Sequence, residues 1–243
     1  MERCGLTEAQ DRRGNWQGGT PSPVFNAPVV VLGLIAVLAA IHIILQFGGD
    51  SWQVESLQIF ALIPARFTKP GFPMIEGSQY WSLLTYGFLH ADWMHLLFNS
   101  LWLLVFGTPA ARYLGSSRFL LLCAVSTIAG GLGSLALHWG SVVYVLGASA
   151  AVSGLLAAAI PIIYGSRVHG GVRPLGPSEL LKSPKALMFM GIWLVVTLAS
   201  GATGWTGNSF IAEGGIAWEA HLGGFIAGLV GFYVLAARAV RAP

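Results

Sequence analysis

The run GASAAVSGLLAAAIPIIY, residues 147–164, decides how this chain is read. It carries no charge, and ahead of its final tyrosine its only hydroxyls are Ser149 and Ser153. At a rise of about 1.5 Å per residue a helix of this length only just crosses a hydrocarbon core of about 30 Å. Ser149 stands third from its start, where a polar group buried without a partner costs roughly 2–7 kcal/mol. His221 stands near the start of another such run, 216–237. A hydroxyl and an imidazole at matching depth in apolar helices point to chemistry inside a membrane.

Further apolar runs of about the 20 residues that a bilayer core requires lie at 27–47, 93–112, 118–138 and 186–204. Charged residues make up 9% of the 243, against about 25% in ordinary soluble domains, and the mean hydropathy is +0.69. The expected fold is an all-α membrane protein with six transmembrane helices. A tail at 1–26 precedes the membrane domain at 27–237, whose long first loop covers 48–92, and a second tail follows at 238–243.

The net charge is +3 and the pI about 9.1, but the basic residues are placed for topology rather than for nucleic acid. Arg3, Arg12 and Arg13 precede the first span, Arg112 and Arg118 flank the connection after the second, and Arg167, Arg173, Lys182 and Lys185 fill the one after the fourth. Arg238 and Arg241 follow the last span, and only Arg66 and Lys69 fall on the other side. Basic residues gather on the cytoplasmic side of membrane proteins, so both termini are expected there. No basic stripe with interleaved aromatics is left for nucleic acid. Cys4 in the tail and Cys123 in mid-span make no disulfide framework. The first span is too long, and its polar leader Met1 to Pro23 too extended, for a cleaved signal peptide, so it reads as an uncleaved anchor.

The 48–92 loop carries Trp52, Ile59, Phe60, Leu62, Ile63, Phe67, Phe72, Tyr80 and Trp81, with Pro64, Pro70 and Pro73 breaking any long helix. Such a segment on the outer side is expected to lie in the bilayer interface, where amphipathic rings are stable, with a folded external cap as the alternative. The chargeless connection Gly140 to Leu146 enters the bilayer only if protein covers its backbone.

With the N-terminus inside, the second, fourth and sixth spans run from outside to inside, and each carries its polar residues near its start. His95 and Asn99 lie in the first turns of the second, Ser149 in the fourth and His221 in the sixth. His95 and Asn99 are four apart and share a helix face, with Asp92 as N-cap and His90 just outside. Any one of them alone reads as a polar residue bonded to a neighbouring helix. Together at one depth they read as a site. Serine needs a neighbouring base, and imidazole is the usual one. Close helix approach is provided by Ala150, Gly154 and Ala157 or Ala158 on the fourth span and by Gly224, Gly228 and Gly231 on the sixth. Acyl transfer also needs donors for an oxyanion, which Asn99, His95 and the Ser149 amide offer. Glu219, two residues before His221, should point elsewhere, and a dyad without a carboxylate is preferred.

Other chemistries fit less well. His90, His95 and His221 lack a His-Glu-x-x-His pattern and an in-span aspartate, so no metal is expected. Paired aspartates for an aspartyl mechanism are absent. His42 and His138 read as lone packing or interfacial histidines and His169 as a solvated loop residue. A transporter or channel is disfavoured because charges are missing from the span centres.

These residues resemble the rhomboid family of intramembrane serine proteases. The match lies in His90 with His95-x-x-x-Asn99, the Gly147-Ala148-Ser149 turn, and Ala220-His221-x-x-Gly224-x-x-x-Gly228. The resemblance implies a serine endopeptidase with Ser149 as nucleophile, His221 as general base and then acid, and an oxyanion hole of His95, Asn99 and the Ser149 amide. It implies a supporting role for His90, no cofactor, and transmembrane protein substrates entering from the lipid bilayer between the second and fifth spans. Three positions depart from the family pattern. Ala150 replaces a glycine, Ser153 stands where many members place an aromatic ring beneath the histidine, and Ala111 stands between Gly107 and Gly115 where a glutamate is usual. A non-catalytic relative that binds and escorts membrane proteins is the rival reading, although such relatives usually lose the serine or the histidine. A compact chain with neither a seventh span nor an organelle presequence points to a bacterial inner membrane.

Overall fold

The computed structural model describes residues 27–68, 75–168, 171–202 and 217–239. These form helices α1 (Val29–Phe47), α2 (Gly49–Phe60), α3 (Ser78–Thr85), α4 (Trp93–Leu114), α5 (Ser116–Leu137) and α6 (Ser149–Ile163). A short hairpin of β1 (Ser166–Val168) and β2 (Gly171–Arg173) follows, then α7 (Pro177–Leu180), α8 (Pro184–Ala202) and α9 (Trp218–Ala239). Helices α1, α4, α5, α8 and α9 are long and apolar enough to cross a membrane, and α6 is a shorter apolar helix of 15 residues. The protein is an integral, multi-span membrane protein. The helices match the six apolar runs, with two adjustments. Gly147 has φ +115°, outside the helical region, so α6 starts at Ser149. Helix α9 runs through Ala239, which takes Arg238 out of the expected C-terminal tail. Residues 1–26 and 240–243 lie outside the described residues, as do His169 and the prolines at 70 and 73.

Helix α6 is central. Every residue from Ala150 to Ile162 is buried, with α4, α5 and α9 packed around it. A helix apolar on all sides is stable only where other helices surround it. At about 1.5 Å per residue its 15 residues are shorter than a bilayer core of about 30 Å.

The first loop folds into α2 and α3 and is tied down at both ends. The Trp81 indole donates to the Ile59 carbonyl at 3.0 Å and the Thr85 hydroxyl to that of Phe60 at 2.8 Å. Between them Ala61, Leu62 and Ile63 are fully buried. Pro64 opens a 3-10 turn rather than a second helix. The buried Arg66 guanidinium donates to Ala61 O at 2.9 Å, and burial lowers its pKa against the pull of Tyr144. Trp52, Phe60, Ile75 and Tyr80 remain exposed, which suits a segment lying against the bilayer interface.

This loop also covers the connection into α6. Leu62 and Val145 exchange both backbone hydrogen bonds, at 3.1 and 2.9 Å, Ala65 N–H donates to Ser141 O at 2.9 Å, and Gly147 N–H to Tyr86 O at 3.0 Å. Within 140–146, the first loop thus pairs the backbone at Ser141 and Val145, while Val142 stays exposed.

Candidate active site

The candidate residues lie at the starts of three helices, α4, α6 and α9. Asp92 caps α4 as its sequence position suggests, its carboxylate accepting the His95 N–H at 2.7 Å. The His95 ring is then oriented by Ala91, whose N–H donates to Nδ1 at 3.4 Å. A ring nitrogen that accepts carries no proton, so the proton of the neutral ring is assigned to Nε2. That nitrogen faces the Gly147 turn. A Cβ on Gly147 would lie 2.7 Å from His95 Nε2 and 3.7 Å from Ser149 Oγ, so the donor and the hydroxyl border the same point. The positive φ and the ring together leave room for glycine alone.

Asn99 is buried one turn further along α4, and its amide donates to His95 O at 3.0 Å. One N–H of its pair is left for another acceptor. His90 is buried edge-on to the His95 ring at 5.1 Å, with neither ring nitrogen hydrogen-bonded. Burial, then His95 and His42, push its pKa down to about 3, and it is neutral at physiological pH. Helix α6 begins at Ser149, where the amide has no carbonyl four residues back to bond.

His221 lies in the first turn of α9, its N–H donating to Ala217 O at 3.3 Å. Helix α9 meets α6 backbone to backbone, with Gly224 against the Ala150 main chain and Gly228 against that of Gly154. Gly231, expected on the same stripe, instead faces α5, where a Cβ would meet Leu122 at 2.8 Å. The crossing brings the first turns of α9, which carry His221, against the first turn of α6, which carries Ser149. Ser149 and His221 are not hydrogen-bonded to each other in this structure. Catalytic hydrogen bonds are often loose in unliganded enzymes and tighten with substrate.

The sequence departures have physical settings. The Ala150 methyl lies against Gly130 of α5, where a second Cβ would come within 2.5 Å of it and 2.6 Å of Ala220 O on α9. Ser153 is buried one turn below Ser149. Ala111 is buried near the end of α4, and Gly115, at φ +78°, turns the chain into α5.

One feature is not legible in the sequence. His138 is not a lone histidine: its Nε2 lies 3.1 Å from Oε1 of the buried Glu219, and Ser134 Oγ donates to the same oxygen at 2.8 Å. His42, by contrast, is a buried packing residue set edge-on to Trp93 at 4.6 Å. Among the described residues no three His, Cys, Asp or Glu side chains converge as metal ligands.

The sequence model of the rhomboid domain matches residues 77–238, two-thirds of the chain and all of this site, and the chain belongs to the rhomboid family. It is 34% identical over 122 residues to YdcA of Bacillus subtilis, covering 50% of this chain and 61% of that one. It is 28% identical over 204 residues to the rhomboid protease GlpG of Pectobacterium atrosepticum, covering 83% and 60%. An uncharacterised protein of Mycobacterium tuberculosis is 27% identical over 213 residues, covering 85% and 74%. The chain thus spans about three-fifths of the length of the first two relatives.

Proposed function

We propose that this rhomboid-family protein is a serine endopeptidase that cleaves membrane proteins in or near their transmembrane helices. The observation that supports the reading is that His95 Nε2 and Ser149 Oγ border the same point at the Gly147 turn, next to the contact of α6 with the first turns of α9. In the proposed reaction His221 takes the Ser149 proton as Oγ attacks the scissile carbonyl carbon. The oxygen that becomes negative is held by His95 Nε2–H, the spare Asn99 N–H and the Ser149 amide. Collapse breaks the C–N bond, and His221 returns the proton to the leaving amine. Water, activated by His221, then hydrolyses the ester on Ser149. His90 supports the His95 ring, Gly147 and Ala148 shape the turn, and Gly224 and Gly228 hold the two helices together. No metal or cofactor takes part.

The reading includes six spans with both termini in the cytoplasm, supported by the asymmetry of the basic residues. It places the protein in a bacterial inner membrane, with substrates arriving from the bilayer. A helical peptide bond is shielded by its own hydrogen bonds, so substrates with helix-destabilising residues near a small side chain are favoured.

The test is cleavage of a model transmembrane substrate in detergent together with labelling by a fluorophosphonate. Wild type cleaves and is labelled, whereas Ser149→Ala and His221→Ala do neither. Undiminished cleavage by Ser149→Ala would falsify the assignment. Binding of the substrate without cleavage or labelling of wild type would replace it with the escort reading.

A further inference from the structure

Helix α9 is held on two sides, and the side away from α6 carries a buried polar group with no part in the reaction above. Glu219 is 5% exposed, and carboxylates are rarely buried unless hydrogen bonds satisfy them. Here Oε1 receives the Ser134 hydroxyl at 2.8 Å and has His138 Nε2 at 3.1 Å. Ser134 lies in the last turn of α5 and His138 is the residue that ends it. Around them the two backbones are in close contact: a Cβ on Gly133 would lie 2.9 Å from Glu219 O, one on Gly130 2.6 Å from Ala220 O, and one on Gly223 2.6 Å from Ala129 O. The carboxylate also stands in the first turn of α9, where a negative charge suits the helix dipole.

Glu219 and His221 are two residues apart, about 200° around the helix axis at 3.6 residues per turn. A grip on Glu219 from α5 therefore sets the rotation at which His221 is presented to α6. At a side-chain radius of about 5–6 Å, a rotation of about 20° displaces the imidazole by about 2 Å, more than a hydrogen bond to Ser149 tolerates. The glycine contacts limit this rotation sterically, and the directional hydrogen bond to Glu219 adds a second constraint on it.

We propose that Glu219, held by Ser134 and His138, is a positioning residue that fixes the first turn of α9 and thereby aims His221 at Ser149. The aim of His221 rests on the serine-protease reading; the grip on α9 does not.

The test uses the full-length protein in detergent. Rates of fluorophosphonate labelling and of substrate cleavage are measured for Glu219→Ala, Glu219→Gln, Ser134→Ala and His138→Gln, with thermal unfolding in parallel. Leu235→Ala, a cavity variant in the far half of α9, serves as a stability control. Misplacement of a reacting group by about 1 Å costs about 10²-fold, so Glu219→Ala is expected to lose 10- to 100-fold in labelling and kcat with KM unchanged. Glu219→Gln, whose amide oxygen still accepts from Ser134, recovers most of the loss. Leu235→Ala lowers the unfolding temperature without slowing labelling of the folded protein. Hydrogen exchange of the first-turn amides of α9 reports the grip independently of activity, and Glu219→Ala raises it. Wild-type labelling and kcat in Glu219→Ala at temperatures where it is folded, or unchanged exchange in its first turn, overturns the proposal. A wild type that does not label overturns the protease reading, and with it the aim assigned to His221, while the exchange result still decides whether Glu219 holds α9.

Discussion

Gly224 of α9 lies directly on the main chain of Ala150 in α6: a Cβ at position 224 would meet the Ala150 carbonyl carbon at 2.8 Å and its Cα at 3.0 Å. The neighbours that would have to move are backbone, which does not yield as a side-chain tip does.

Substitution of Gly224 by Val therefore forces α9 off α6. Overpacking of this kind costs about 1–3 kcal/mol, and a shift of about 1 Å between Ser149 and His221 costs about 10²-fold in rate. Gly224→Val is expected to unfold at lower temperature and to lose labelling well beyond its loss of folded fraction. Thermal unfolding and labelling at a temperature where all protein is folded separate the two.

The extra methyl of Ala150 is accommodated by the missing side chain of Gly130. Gly130→Ala brings a Cβ within 2.5 Å of the Ala150 Cβ and 2.6 Å of Ala220 O, and is expected to be strongly destabilising. Ala150→Gly alone costs about 1 kcal/mol from helix propensity and leaves the catalytic rate unchanged. The double variant is more stable than Gly130→Ala but stays below wild type, because Ala220 O still obstructs. A double-mutant cycle of unfolding free energies measures the coupling, and additivity within about 0.5 kcal/mol would contradict it.

The two side-chain donors on α4 differ in how free they are. His95 Nε2–H points at the Gly147 turn, whereas Asn99 already spends one N–H on His95 O. Loss of a single oxyanion donor typically costs about 10²–10³ in kcat. His95→Ala is expected at the upper end of that range and Asn99→Ala at the lower, both with KM little changed. Steady-state kinetics on a model substrate reads this directly, and an Asn99 effect larger than that of His95 contradicts the assignment.

Outside the membrane-spanning helices, Arg173 grips Glu179 through two hydrogen bonds of 3.1 and 2.9 Å, and the Gly176 N–H adds a third at 2.7 Å. Arg173, then the Gly176 amide, lower the Glu179 pKa below its ordinary 4.5. A carboxylate depressed in the folded state stabilises it above the ordinary pKa, and that contribution disappears as the pH falls through the lowered value. The turn before α7 is thus expected to hold at neutral pH and to loosen only in acid below 4.5. Arg173→Ala moves the Glu179 titration upward, and carboxyl chemical shifts with exchange of the Gly176 amide follow it.

Much of this site is legible along the chain because its determinants are local. Asp92 caps α4 from three residues before His95, and Gly147 breaks the helical pattern just ahead of Ser149. His95 and Asn99 share a face through helix periodicity alone. What escapes the sequence depends on faces. The stripe of Gly224, Gly228 and Gly231 looks continuous, yet the last faces α5, because helix axes cross at an angle and a stripe leaves its partner within about two turns. Glu219 and His138 read as unrelated because their meeting depends on how α5 and α9 are rotated.

Hydropathy, charge asymmetry and the spacing of a few polar residues determined by themselves which segments leave water, how many they are, and which hydroxyl and imidazoles to expect at one depth. Each of these follows from transfer free energies and helix geometry within a single segment. Only the tertiary structure decided that the Ala91 amide reaches Nδ1 of His95, that the Ala150 methyl lodges against Gly130, and that Glu219 is tied to α5 behind His221. Those depend on contacts between helices, whose rotation and approach are set by all their side chains at once.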